Sequence, residues 1–152
     1  MSRPAYVRHM GGVMKQWVDV EPRRPHSPLS PNSAHHVGFL RRAAAESVHG
    51  CGLSALADEV LLIISELVTN ALVHSGTRRI GVEMAVQDGY LHVEVTDGVP
   101  VAATLRRAGD EDECGRGLAL VALVAAEHHG SWGTRDGGRT TWCRLALPED
   151  CR

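Results

Sequence analysis

Lysine is almost missing from this chain, with Lys15 its only example. A phosphate-binding loop of the G-x-x-x-x-G-K-[ST] kind needs its lysine for the β and γ phosphates, so that class of nucleotide site is excluded. Long apolar runs are missing as well. The longest, around Val60 to Ile64, is broken by Ser65 and Glu66, far short of the roughly 20 residues a membrane-spanning helix needs. The first residues show no apolar stretch of the secretory-signal kind, and a cytoplasmic location is expected. Cys51, Cys114, Cys143 and Cys151 have neither C-x-x-C nor zinc-like spacing, which favours thiols in a reducing compartment over disulfides. Nine histidines form no H-E-x-x-H and no zinc-finger pattern. His35-His36 and His128-His129 are adjacent pairs, which do not share a helix face, so a structural metal site is not expected. There is no G-x-S-x-G, no context for a catalytic cysteine, and no internal repeat.

What is present fits one soluble domain. A chain of 152 residues with 43% hydrophobic and 22% charged content can bury roughly two thirds of its unfolded surface around one core. The net charge of -2 makes no electrostatic case for nucleic acid or an anionic membrane, although Arg78-Arg79 and Arg106-Arg107 could serve a protein partner.

Residues 1 to 31 hold Gly11-Gly12 and five of the seven prolines. They are read as a partly disordered N-terminal arm with a short edge strand from Lys15 to Val20, and residues 32 to 152 as the domain proper. Ser33 offers an N-cap for a helix to about His49, with Val37, Leu40, Ala44 and Val48 on one face. Ser54 can cap a second helix that ends at Ser75-Gly76. From Arg79 the period changes to two. Ile80, Val82, Met84 and Val86 alternate, Asp88-Gly89 is a hairpin turn, and Leu91, Val93 and Val95 alternate on the return. Val99 to Cys114 is a long segment with a helix-like piece near Ala102 to Arg107 and an acidic run at Asp110 to Glu113. Gly115-Arg116-Gly117 leads into a helix from Leu118 to about His129, and a second hairpin turns at Asp136-Gly137-Gly138 before a strand from Arg139 to Leu147.

Three places carry candidate chemistry. On the second helix, Leu56, Val60, Ile63 and Leu67 form a core stripe, while Glu66 and Asn70 lie about 40° apart around the axis and share a flank. They are either solvated residues near the helix exit or a working pair. Asp97 continues the phase of Leu91, Val93 and Val95, which aims its carboxylate at the buried face. Either a protein group satisfies it, or it accepts from a ligand N–H, unless the strand stops at Thr96 and Asp97 opens an exposed turn. Gly115 and Gly117 are either a flexible lead-in or a place where a phosphate meets backbone N–H groups.

Ordered along one chain, these pieces resemble a known family. Ser65-Glu66-Leu67-Val68-Thr69-Asn70-Ala71-Leu72-Val73-His74 is similar to the N box of the histidine-kinase-like (GHKL) ATPase superfamily, in its small stand-alone anti-sigma-factor serine/threonine kinase branch. Val93-Glu94-Val95-Thr96-Asp97-Gly98 resembles the first glycine box, and Gly115-Arg116-Gly117-Leu118-Ala119-Leu120-Val121 the second. The resemblance runs from about Ser33 to Leu147. It implies an α/β fold of the Bergerat ATP-binding type, a two-layer sandwich with an antiparallel-dominated mixed sheet covered on one face by helices.

By the same resemblance, ATP and Mg²⁺ are the implied cofactors. Asn70 would ligate Mg²⁺, Glu66 would be the general base, and Asp97 would accept the adenine amino N–H. Gly115 and Gly117 would approach the phosphates, with His74, Gly98, Arg116 and Leu118 beside them in the same boxes, and Val99 to Cys114 would be the lid. Thr140 or Thr141 matches a position near adenine, and the choice between them stays open. One departure is visible. The widespread D-x-G-x-G pattern is replaced by Asp97-Gly98-Val99-Pro100, a variant similar to that of small regulatory members.

The implied partners are a sigma factor and an anti-sigma-factor antagonist, with the chain alone or as a homodimer, and without direct contact to nucleic acid or membrane. The implied activity is phosphorylation of a serine or threonine of the antagonist. The opposing reading is a non-catalytic module that uses ATP to hold a partner-binding shape. A detached sensor histidine kinase core is weaker, because His35-His36 lacks the acidic residue that usually follows a phospho-acceptor histidine.

Overall fold

The hairpin at Asp88-Gly89 sets the register from which the sheet is built. Both residues have positive φ, 53° and 82°, the twist that lets a two-residue turn match the twist of its strands. The computed structural model describes residues 11–21, 28–74, 77–97 and 113–151. The strands are β1 (Gly11–Asp19), β2 (Arg79–Gln87), β3 (Tyr90–Asp97), β4 (Ser131–Arg135) and β5 (Thr140–Ala146). They lie in the order β1-β2-β3-β5-β4. The sheet, expected to be mixed with antiparallel pairs dominant, is antiparallel in each of its four described pairings, so no parallel pair is found among the described residues. β1 begins earlier than the strand expected from Lys15, and it is the edge of the main sheet, paired with β2 from Gly11 to Asp19.

Three helices cover one face: α1 (Pro31–Gly50), α2 (Ala57–His74) and α3 (Glu113–Glu127). α2 lies against β3, α1 against α2 and β1, and α3 against α2, β4 and β5. The expected stripe Leu56, Val60, Ile63 and Leu67 is buried, and so are Ile64, Val68, Ala71 and Leu72. A central helix packs against a sheet below and a helix on either side, so more than one stripe is covered. The covered face of the sheet supplies Ile80, Val82, Met84, Leu91, Val93, Val95, Cys143 and Leu145 to the same core. Burial pushes the Cys143 thiol up to about 12.

Helix ends differ from expectation in ways that the local chemistry explains. α1 is capped by Ser30, whose Oγ accepts the Ser33 N–H at 3.1 Å. Pro31 fits the first helical position, where a missing N–H costs nothing, so the helix starts ahead of Ser33. Ser54 opens a short 3-10 turn ahead of α2, and its hydroxyl bonds His49 Nδ1 at 2.7 Å. α3 starts at Glu113, not Leu118, so Glu113 and Cys114 belong to a helix. The expected lid up to residue 112 with its helix-like piece, the second helix's Ser75-Gly76 end, and residues 1–10 and 22–27 of the arm lie outside the described residues.

The other face of the sheet carries Trp17 over Gly81 and Trp142 over Gly133, each indole within 2.8 Å of where a glycine Cβ would stand. Arg135 pairs with Glu94 there. That hydrogen bond holds the guanidinium pKa above its ordinary value. Among the described residues, no helix is long and apolar enough to cross a membrane.

Candidate functional site

Residue spacing along α2 puts Glu66 and Asn70 one turn apart on one flank. Asn70 is only 6% exposed and Glu66 is half-buried. The solvated reading of this pair is therefore replaced by a packed one. An amide and a carboxylate held this far from water need polar company or a ligand.

α3 supplies part of that company. A Cβ placed on Gly117 would run into Glu66 Oε2 and come within 3.4 Å of Glu66 Cδ. The carboxylate thus occupies the space that any other residue at 117 would fill with its own side chain. The two glycines in Gly115-Arg116-Gly117 play different parts, because the helix starts two residues before the first of them. The first four N–H groups of a helix have no partner inside it. Gly115 falls within that first turn and can present its amide to an anion. Gly117 is the fifth residue, so its contribution is the close approach to Glu66. Leu118 is packed against the core. The side chains of His74 and Arg116, and residue Gly98 altogether, lie outside the described residues.

β3 delivers Asp97 as its phase requires. Leu91, Val93, Val95 and Asp97 are all buried, Asp97 at 1% exposure. The exposed-turn reading does not apply, because the ladder continues: the Asp97 N–H donates to the Arg139 carbonyl at 2.9 Å. β5 then separates the two threonines left open by sequence. Thr141 pairs with Val95 and shares the covered face with Asp97. Thr140 pairs with Thr96 on the other face, and their hydroxyls are 3.0 Å apart. Of the two, Thr141 is the one on the side of α2 and Asp97.

The donor set suits a hard cation and a nucleotide. An amide oxygen is of the type that suits Mg²⁺, which is held by a few protein oxygens together with phosphate. Among the described residues there is no cluster of three or more His, Cys, Asp or Glu that could hold a metal, so a cation here would depend on Asn70 and the ligand's own oxygens. Asp97 offers a buried acceptor, and α3 offers N–H groups beside a glycine. A cleft of about 310 Å³ lined by Gly38, Arg41, Arg42, Ala45 and Leu61 shares no residue with this group.

The contact between Glu66 and Gly117 was not readable from sequence, since it depends on how two helices cross. The place of Arg139 was not readable either. It was read only as the start of the last strand, although it stands next to Asp97 across the sheet.

No curated protein matches this chain. Residues 30–145 match the family described as histidine kinase-like ATPase domain. That span takes in α1, α2, the β2–β3 hairpin, α3 and nearly all of β5, and with them every candidate residue above; the chain belongs to the histidine kinase-like ATPase family.

Proposed function

We propose that this protein is an ATP-binding regulator that binds a sigma factor and transfers the γ-phosphoryl group of ATP to a serine or threonine of an antagonist protein. The observation that carries the reading is the seam between α2 and α3. There the Glu66 carboxylate lies against Gly117, with the buried Asn70 one turn further along α2.

In this reading Asn70 holds Mg²⁺, which when bound would neutralise charge on the phosphates. The Gly115 amide receives a phosphate oxygen at the start of α3. Asp97, with Thr141 on the same face, fixes the adenine by its amino group. Glu66 orients the attacking hydroxyl and takes its proton as the new O–P bond forms and ADP departs. Phosphoryl transfer asks for little beyond positioning and charge stabilisation, which is what this small set can supply. The Asp97-Gly98-Val99-Pro100 variant supports the regulatory branch. The setting is the cytoplasm, with protein partners.

Incubation with γ-labelled ATP, Mg²⁺ and candidate antagonists tests the reading. Label on a serine or threonine of one antagonist is expected. ATP binding without transfer to any antagonist would favour a module that uses the nucleotide only to hold a partner-binding shape.

A further inference from the structure

Arg139 follows the turn between β4 and β5. In that turn Asp136, Gly137 and Gly138 hold φ of 57°, 69° and 89°, and the Arg139 N–H donates to the Asp136 carbonyl at 3.3 Å. Thr96 pairs with Thr140, and the Asp97 N–H reaches the Arg139 carbonyl. Arg139 is therefore the next cross-strand neighbour of Asp97.

Its side chain is unlike those of other arginines in the sheet. Arg79 meets Asp19, Arg135 meets Glu94, and Arg144 donates to Ser131. Arg139 Nε is shielded from solvent and has no hydrogen-bond partner among the described residues. A buried donor on a charged group is costly to leave unmade, and an acceptor supplied by a ligand removes the cost.

We propose that Arg139 is a nucleobase-binding residue, its Nε–H donating to a ring nitrogen of adenine while Asp97 accepts from the exocyclic amino group. The inference rests on the nucleotide site proposed above. The adenine amino group is flanked by two ring nitrogens, N1 and N7, both in-plane acceptors. A carboxylate beside a guanidinium N–H therefore complements either edge. At the N7 edge guanine offers two acceptors, N7 and O6, which would set O6 against the Asp97 carboxylate, so the pair also selects adenine there.

The test is titration of wild type, Arg139→Ala and Arg139→Lys with ATP, 1-deaza-ATP and 7-deaza-ATP, with circular dichroism to verify folding. Wild type should lose roughly tenfold or more in affinity for one of the two deaza analogues, the scale of one charge-assisted hydrogen bond. Arg139→Ala should lose a similar factor for ATP and bind that analogue and ATP alike. Arg139→Lys should not recover the loss, because an ammonium lacks the planar N–H fork. Wild-type ATP affinity in folded Arg139→Ala, unchanged discrimination of the analogues, or full recovery by lysine would each overturn the assignment while leaving the nucleotide site standing. Failure of the wild type to bind ATP would overturn the site itself, and this inference with it.

Discussion

The candidate site has a corner made by strands and a seam made by helices, and the two are specified differently. At the corner, Asp97 and Thr141 are placed by register: the Asp88-Gly89 turn fixes β2 against β3, the ladder fixes β5 against β3, and each residue's face follows from counting by two. At the seam, Glu66 and Gly117 come from helices separated by the whole β2–β3 hairpin. They meet because one position has no side chain. The corner depends on register, whereas at the seam added volume displaces the Glu66 carboxylate.

The largest expected effect is at the seam. Glu66→Gln keeps the shape but cannot take a proton as a carboxylate does, so phosphoryl transfer should fall by roughly 10²–10⁴-fold with ATP affinity retained. Asn70→Ala, one turn away, should instead weaken Mg-ATP binding itself. Transfer rates and titrations on both variants check the split, and undiminished transfer in Glu66→Gln would remove the base from the reading.

At the corner, Asp97→Asn replaces a charged acceptor by a neutral amide that can present a donor. A loss of about 1.5–3 kcal/mol in ATP binding is expected, with the fold intact. Equal affinity in a folded variant would show that the buried carboxylate serves the sheet and not a ligand.

Gly117→Ala asks whether the seam is a matter of volume. The colliding atom is the end of the Glu66 side chain, which can swing aside. Alanine also gains up to about 1 kcal/mol in helix propensity. Stability by urea denaturation should therefore stay within about 1 kcal/mol of wild type, while transfer drops because the carboxylate is displaced. The same change in a Glu66→Gln background should add little, since both act on one group. Additive losses would mean that Gly117 acts elsewhere.

The smallest effects concern adjacent residues on opposite faces. Thr141→Val should weaken ATP binding. Thr140→Val should leave affinity alone and cost about 1 kcal/mol of stability, through the hydroxyl contact with Thr96. Reversal of the two outcomes would mean that the ligand lies on the other side of the sheet.

Much of this was legible in the chain. The alternation from Ile80 to Val95 gave both strands of the hairpin and the phase of Asp97, and the i, i+4 spacing gave the shared flank of Glu66 and Asn70. Helix ends were less so. Pro31 looks like a breaker in a proline-rich stretch yet starts α1, and Gly115 and Gly117 look like a lead-in yet sit inside α3. In each case the residue type is compatible with two states, and packing of the helix decides.

The sequence by itself determined which residues share a face within one element, because side-chain direction follows from a period of 2.0 or 3.6 residues and needs nothing from the rest of the chain. Tertiary structure alone decided which faces meet. The choice of Thr141 over Thr140 depended on β5 pairing with β3, the Glu66 contact on α3 crossing α2 at a glycine, and the placing of Arg139 beside Asp97 on the ladder running one pair past Thr140. Such pairings are set by burying one shared core among elements far apart in sequence, and no local pattern encodes them.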